Sequence, residues 1–329
     1  MRKSYSKLGR SHKHLGYAIG YPAKLDRLEA CLRTNGALTA AIAAFAREQY
    51  PSLKHGRLEA GAEMDGDVAR VREALRHFVR DWSAEGQSER ERIFTPILKV
   101  LAQVLPENRG EMKVLVPGSG LGRLAWEISE LGFQTTAIEL SHFMTLALRF
   151  LLSPTSTSTF NQHILHPYAS WFSHQRTTAN NFHAVTFPDV LPRHSSSFVL
   201  SEGDFHKHLP PRGCAGYDFV VTLFFIDTSL NAFETIAHIH TLLRPGGRWI
   251  NLGPLLWPSR AQARVELSLE EVLQLVEASG FRIEDEETMK RRTVVCEYTA
   301  DPRAMMQWLY HAEFWVATKI VGDLSPETD

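Results

Sequence analysis

Three cysteines in 329 residues, no long apolar run and almost no net charge exclude several protein classes at once. Cys31, Cys214 and Cys296 are widely separated, odd in number and outside any CxxC spacing, so they support neither a disulfide framework nor a zinc site and read as reduced thiols. No stretch approaches membrane-spanning length. The basic N-terminus, MRKSYSKLGRSHKHLGYAIG, lacks the continuous apolar segment of a secretory signal. A soluble intracellular protein is expected, in the cytoplasm with the nucleus as a second compartment. A formal net charge of −1 supplies no global field for nucleic acid or an anionic membrane, so neither is expected as a partner. HKH at 206–208 and HIH at 238–240 lack metal-ligand spacing, and no metal is expected.

What is present is a composition able to form a packed core, with 44% hydrophobic and 22% charged residues. Residues 25–50 read as helix, interrupted by the turn chemistry of Thr34, Asn35 and Gly36 and ended by Pro51. A second helical pattern sets Val68, Val71, Leu75, Phe78, Val79 and Trp82 on one face, with Arg70, Glu73, Arg76 and Asp81 off it. The polar stretch SAEGQSERE closes this N-terminal helical region, and a third helix is expected at about 93–104.

From there strand and helix signals alternate, the pattern of a parallel sheet. Strands are expected at 113–117, 135–139, 198–202, 219–225, 248–252, 281–286 and 313–319. This gives an N-terminal helical region at 1–92 and an α/β, Rossmann-like domain at 93–329. The connection 153–197 is out of proportion and rich in aromatics and histidines. Long connections of this kind are functional or disordered, and its Trp, Tyr and Phe content favours an ordered, substrate-side insertion.

The apolar strand at 113–117 runs into Gly118, Gly120 and Gly122, which permit a tight turn and close backbone approach, with a helix N-terminus following. Glu139 ends the next strand, seventeen positions beyond Gly122, where a carboxylate can accept both hydroxyl protons of a ribose. Turn and acid point to a nucleoside-bearing cofactor. The dinucleotide fingerprint GxGxxG requires glycine where the chain has Arg123. The spacing instead resembles class I S-adenosylmethionine-dependent methyltransferases, as do SEGDF, with Asp204 placed for adenine, and LLRPGGRWINLG. Taken alone, the glycine triplet is equally a structural turn.

A narrower resemblance rests on FVRDWSAEGQSER, LVPGSGLGRLAWEISELGF, FFIDT, LLRPGGRWINLGPLL and YTADPRAMMQWLY, which are similar to the carnosine N-methyltransferase (N2227-like) family from about residue 70 onward. The resemblance implies a mostly parallel seven-stranded sheet with helices on both faces, S-adenosyl-L-methionine as cofactor, and methylation of the imidazole of carnosine or a related histidine-containing dipeptide. It implies cofactor contacts from His77, Arg80, Gly118, Gly120, Gly122, Glu139, Asp204, Phe205 and Cys214. It implies Asp227 as the carboxylate beside the substrate imidazole, Tyr298 and Tyr310 as substrate-site tyrosines, and a homodimer. From the residues alone, Asp227 could also be a helix N-cap, the tyrosines core residues and Arg80 a surface arginine. The family's GPLLYH is GPLLWP here, with Pro258 where the substrate-contacting histidine stands. That departure keeps open a methyl acceptor other than carnosine, and a cofactor-binding module without turnover is a third alternative.

Overall fold

The computed structural model describes residues 1–50, 63–210, 212–258 and 262–320, and the chain divides into two compact units. The first comprises residues 1–86, 149–191 and 299–308; the second comprises 87–148, 192–298 and 309–329. The first unit thus takes in the N-terminal helices together with residues 149–191, most of the expected insertion. No helix among the described residues is long and apolar enough to cross a membrane.

In chain order the strands are β1 (Lys113–Pro117), β2 (Gln134–Glu139), β3 (His163–Leu165), β4 (Val185–Phe187), β5 (Phe198–Glu202), β6 (Tyr217–Leu223), β7 (Leu243–Gly253), β8 (Phe281–Ile283), β9 (Arg292–Cys296) and β10 (Tyr310–Lys319).

In the first unit, the helix Tyr21–Gln49 runs unbroken through Thr34, Asn35 and Gly36. The expected interruption is corrected by where the polar side chains go. The Thr34 hydroxyl donates back to the Ala30 carbonyl, and Asn35 turns outward, its Nδ2 donating to the His166 carbonyl at 3.0 Å and its Oδ1 accepting from the His166 N–H at 2.7 Å. Neither competes with the helical backbone. Pro51 lies outside the described residues. Leu28 and Cys31 of this helix pack against Ala169 and Phe182 of the insertion, with Lys24 over Phe172 and Arg27 over Phe182. The insertion is ordered, carrying the antiparallel pair β3 and β4.

The helix Glu63–Trp82 buries Leu75, Phe78, Val79 and Trp82, as its pattern predicts, whereas Val68 is exposed. Phe78 stacks on Phe187 of β4, and the Trp82 carbonyl accepts from the Asp189 N–H. Asp81, expected off the buried face, is 1% exposed. It is accommodated there because Arg80 donates to both its oxygens, at 2.6 and 3.1 Å, and His77 Nδ1 lies 3.6 Å away. Burial acts to raise its pKa, but Arg80 and His77 hold the carboxyl well below the usual range.

The 3-10 turn Ala84–Gly86 ends the first stretch of the first unit, and the second unit opens on the helix Gln87–Leu101, earlier than the expected start at 93. This helix buries Ile93, Phe94, Ile97, Val100 and Leu101. The sheet has the order β5-β2-β1-β6-β7-β10-β8, with β9 also paired to β10. The pairs β5-β2, β2-β1, β1-β6 and β6-β7 are parallel, and β10 runs antiparallel to both β7 and β8. All seven expected strands are present with small shifts at their ends. The eighth, β9, was not legible. Helices Ala232–Leu242 and Leu269–Ala278 pack with a core that includes Val220, Ile236, Trp249, Val276, Phe281 and Trp315, and the helix Arg123–Glu130 packs against β2 and β5. Trp249 and Trp315 meet edge to face at 4.6 Å, and truncating either fully buried ring would cost about 3–5 kcal/mol.

Candidate functional site

Because β1, β2, β5, β6 and β7 are parallel, their last residues, Pro117, Glu139, Glu202, Leu223 and Gly253, line one edge of the sheet. Ligands bind at this carboxyl edge in open α/β sheets, where strand order reverses between the first strand and its neighbours. Gly118, Gly120 and Gly122 follow β1 with φ of +60°, +57° and +72°, the left-handed region that favours glycine. A Cβ on Gly118 would stand 2.5 Å from the Phe225 ring, and one on Gly122 the same distance from Leu148 Cδ2. The turn is therefore glycine for packing as well as for conformation.

The Gly120 N–H donates to Glu139 Oε2 and the Ser141 N–H donates to Oε1, each at 2.8 Å. Two backbone donors fix the plane of a half-buried carboxylate and leave its remaining lone pairs for an incoming pair of hydroxyls. Leu140, beside it, is 67% exposed and offers an apolar surface. Arg123, which stands at the last dinucleotide glycine's place, turns along its own helix to Glu127 at 2.7 Å and over the Trp126 ring. The free acceptor capacity of the Glu139 carboxylate suits a nucleoside diol.

Asp204 follows β5 at the same edge. Its Oδ1 accepts from the His206 N–H, capping the 3-10 turn Phe205–Lys207, and the side chain stays half-buried. Phe205 is buried with its ring edge-on to Phe225 at 5.2 Å and to His238 at 4.8 Å, and its carbonyl accepts from His238 Nε2. Phe225, missed in the sequence, thus spans Gly118 and Phe205. The doubled phenylalanine just beyond an apolar strand was the available signal.

Asp227 lies on the 3-10 turn Ile226–Thr228 after β6, 6% exposed. The Leu256 N–H donates to its Oδ2 at 3.0 Å, tying it to the GPLLWP segment after β7. Burial pushes its pKa up, against the backbone N–H groups of Leu256 and of Asp227 itself. The N-cap alternative does not match this geometry: Phe225 holds the cap position of that turn, and Asn231 that of the next helix, Ala232–Leu242.

Phe224, between β6 and this turn, has φ +51°, rare for an aromatic residue. Gly253 permits it, since a Cβ there would lie 3.2 Å from the Phe224 Cα and N. The twist sets its ring against Tyr298 at 4.8 Å and edge-on to Tyr310 at 5.6 Å; the tyrosines are 6.5 Å apart. The expected substrate tyrosines are therefore brought together against Phe224, which stands three residues before Asp227 in the chain. Trp257 donates from Nε1 to the Leu267 carbonyl, and Pro258 follows, with no side-chain donor.

One expectation differs. Cys214 sits three residues before β6 begins, at the amino edge of the sheet. A seven-residue strand separates its ends by roughly 20 Å, so Cys214 is not at the edge that carries Gly118 and Asp227. His77 and Arg80 belong to the first unit, where both are buried and engaged with Asp81.

Strand order, an antiparallel strand beside the last parallel one, and the joined glycine turn and acid define a Rossmann-like methyltransferase of class I. The sequence profile of the carnosine N-methyltransferase family matches residues 59–320. The Mus musculus carnosine N-methyltransferase is 34% identical over 314 residues, covering 91% of this chain and 76% of that protein. The Schizosaccharomyces pombe carnosine N-methyltransferase is 32% identical over 340 residues, covering 96% and 88%. The chain belongs to the carnosine N-methyltransferase family, whose members depend on S-adenosylmethionine. Similar solved structures include magnesium protoporphyrin IX methyltransferase from Synechocystis with bound SAH, at TM-score 0.43 and 13% identity, covering 75% of this chain and 93% of that one. Another is a Burkholderia thailandensis 1,6-didemethyltoxoflavin-N1-methyltransferase, at TM-score 0.40 and 18% identity, covering 81% and 94%.

Proposed function

We propose that this methyltransferase acts on an imidazole nitrogen of carnosine or a related histidine-containing dipeptide. The observation that carries the reading is Asp227: a buried carboxylate at the carboxyl edge of β6, with Oδ2 held by Leu256 and an aromatic cluster beside it. S-adenosylmethionine, when bound, supplies a methyl group on a sulfonium. Glu139 accepts the ribose hydroxyls, Asp204 and Phe205 face the adenine, and the three glycines let the backbone approach. His77 and Arg80 are assigned to the cofactor by the resemblance alone.

A neutral imidazole gains positive charge as its ring nitrogen is methylated. Asp227 accepts a hydrogen bond from the other ring N–H, which selects the reactive tautomer and offsets the growing charge. Tyr298, Tyr310 and Phe224 confine the ring, so the attacking nitrogen is held in line rather than merely nearby.

A different small-molecule or peptide acceptor is favoured by one observation, Trp257 and Pro258 in place of the family's tyrosine and histidine. Incubation with methyl-labelled S-adenosylmethionine and carnosine, homocarnosine or a histidine-peptide pool decides between them. Label on an imidazole nitrogen of a dipeptide is the expected result; label on none of these imidazoles overturns the reading.

A further inference from the structure

The 3-10 turn Phe205–Lys207, which with Asp204 forms the adenine side of the site, is held by more than its own backbone. Within it, the Lys207 N–H donates to the Asp204 carbonyl and the His208 N–H to the Phe205 carbonyl, each at 3.0 Å. A three-residue turn closed by two such bonds has little stability of its own. Its outside support is the helix Ala232–Leu242 of the same unit. His238 Nε2 donates to the Phe205 carbonyl at 2.9 Å, so this oxygen accepts a second bond, from a residue 33 positions away. The same imidazole stands edge-on to the Phe205 ring at 4.8 Å, and thus holds both the carbonyl and the side chain of one residue.

Thr235, three residues before His238, brings Oγ1 to 3.3 Å from His206 Nε2. Residues three apart share a helix face, and here that face meets the turn twice. Ile236 and Ile239 of the helix are fully buried in the core, so the donor stands on a fixed support. Burial pushes the His238 pKa below the ordinary imidazole value, and His206 acts in the same sense; the Phe205 and His208 backbones and Asp204 act against it. The ring is neutral at pH 7, and because a carbonyl only accepts, its one proton sits on Nε2. A cation at this place would instead compete for the Asp204 carboxylate.

We propose that His238 is a positioning residue for the cofactor: its Nε2–H fixes the Phe205 carbonyl, and with it the turn that presents the Asp204 carboxylate to the exocyclic amino group of adenine. Asp204 spends Oδ1 on the His206 N–H. A carboxylate only accepts, so what it selects on a base is an N–H donor, and adenine carries one in its amino group. This role rests on the reading of Asp204 and Phe205 as the adenine-side pair, and it is independent of which acceptor is methylated.

The test is calorimetric titration of the full chain with S-adenosylhomocysteine and with S-inosylhomocysteine, whose base has a carbonyl oxygen where adenine has the amino group. The wild type should prefer the adenine ligand by about tenfold or more, since the inosine oxygen meets Asp204 acceptor to acceptor. His238→Phe keeps a ring and loses the donor. It should bind S-adenosylhomocysteine about threefold to tenfold more weakly, the worth of one neutral hydrogen bond, with the inosine ligand little changed, so that the preference shrinks by the same factor. His238→Gln, which can place an N–H2 group near the Nε2 position, should restore most of the preference. A residue that only supports the fold would lower both affinities together, and thermal melts of the free variants monitor folding. His238→Met, also without the donor, gives the same comparison if the phenylalanine variant does not fold. An unchanged preference in the donor-less variant, or a preference lost to the same degree in His238→Gln, overturns the positioning role and leaves the adenine reading standing. No preference in the wild type overturns both.

Discussion

The backbone N–H of Gly120 donates to Oε2 of Glu139 at 2.8 Å, so the turn after β1 and the acid ending β2 form one hydrogen-bonded piece. Glu139→Gln must point an amide N–H2 at one of two backbone donors, Gly120 or Ser141. S-adenosylmethionine affinity is expected to fall about tenfold to a hundredfold, since each charge-assisted hydrogen bond contributes about 1.5–3 kcal/mol. Isothermal titration measures it, and wild-type affinity would remove the ribose contact.

Asp227→Asn separates chemistry from stability. Asn keeps an acceptor for the Leu256 N–H but loses the charge, so turnover on carnosine should fall about a hundredfold or more with cofactor affinity unchanged. The folded-state pKa of Asp227 is raised above its unfolded value, so its contribution to stability is lost as pH rises through the folded pKa. The Asn variant should therefore melt at or above the wild-type temperature near pH 7. A large drop in melting temperature would make Asp227 a structural residue.

The same carboxylate shapes the pH profile. Protonation removes the acceptor, so kcat should decline on the acid side with a midpoint above the ordinary aspartate value of about 4. Single-turnover rates across pH measure this limb, and an acid midpoint at or below that value would exclude Asp227 as the group responsible.

Asp81 behaves with the opposite sign. Its carboxyl is held low by Arg80 and His77, so it contributes stability that is present above the unfolded pKa and lost as pH falls toward the folded one. Asp81→Asn leaves a buried guanidinium facing a neutral amide and should cost about 3–5 kcal/mol at neutral pH. Urea denaturation at pH 7 and pH 3 checks both size and sign; a cost that grows on acidification would contradict it.

Asn35→Leu should destabilise by about 1–3 kcal/mol, through the two backbone groups of His166 that it leaves unpaired. Leucine is the better helix former, so helical circular dichroism should not fall. Loss of helix signal together with stability would mean that Asn35 acts within its helix instead.

The sheet was legible because each of its longer strands is an apolar run ended by glycine, acid or turn chemistry, as at Pro117 to Gly118 and at Glu139. β9 was not, because RTVVC alternates in burial and is framed by charged residues, so nothing local distinguishes it from a loop. Local signals also misread Thr34, Asn35 and Gly36; the part Asn35 plays is decided by His166, 131 positions away. Asp81 was placed off the buried face because a charge reads as solvated until its partner is known. At the site, Gly118, Glu139, Asp204 and Asp227 follow strand ends and could be found by counting. Phe224, Phe225 and the Leu256 N–H could not, since their part depends on backbone twist and on a segment that meets Asp227 only in three dimensions.

The first unit is drawn from three separated stretches of chain, and the last of them, 299–308, carries Arg303. During vectorial synthesis Glu85 and His183 leave the ribosome long before the guanidinium that pairs with Glu85, and the sheet strands β5 to β9 are translated in between. A chain cut anywhere before residue 299 therefore lacks a wall of its earliest-made unit, and truncation from the C-terminal side would damage the N-terminal helices' partner as surely as deleting those helices would.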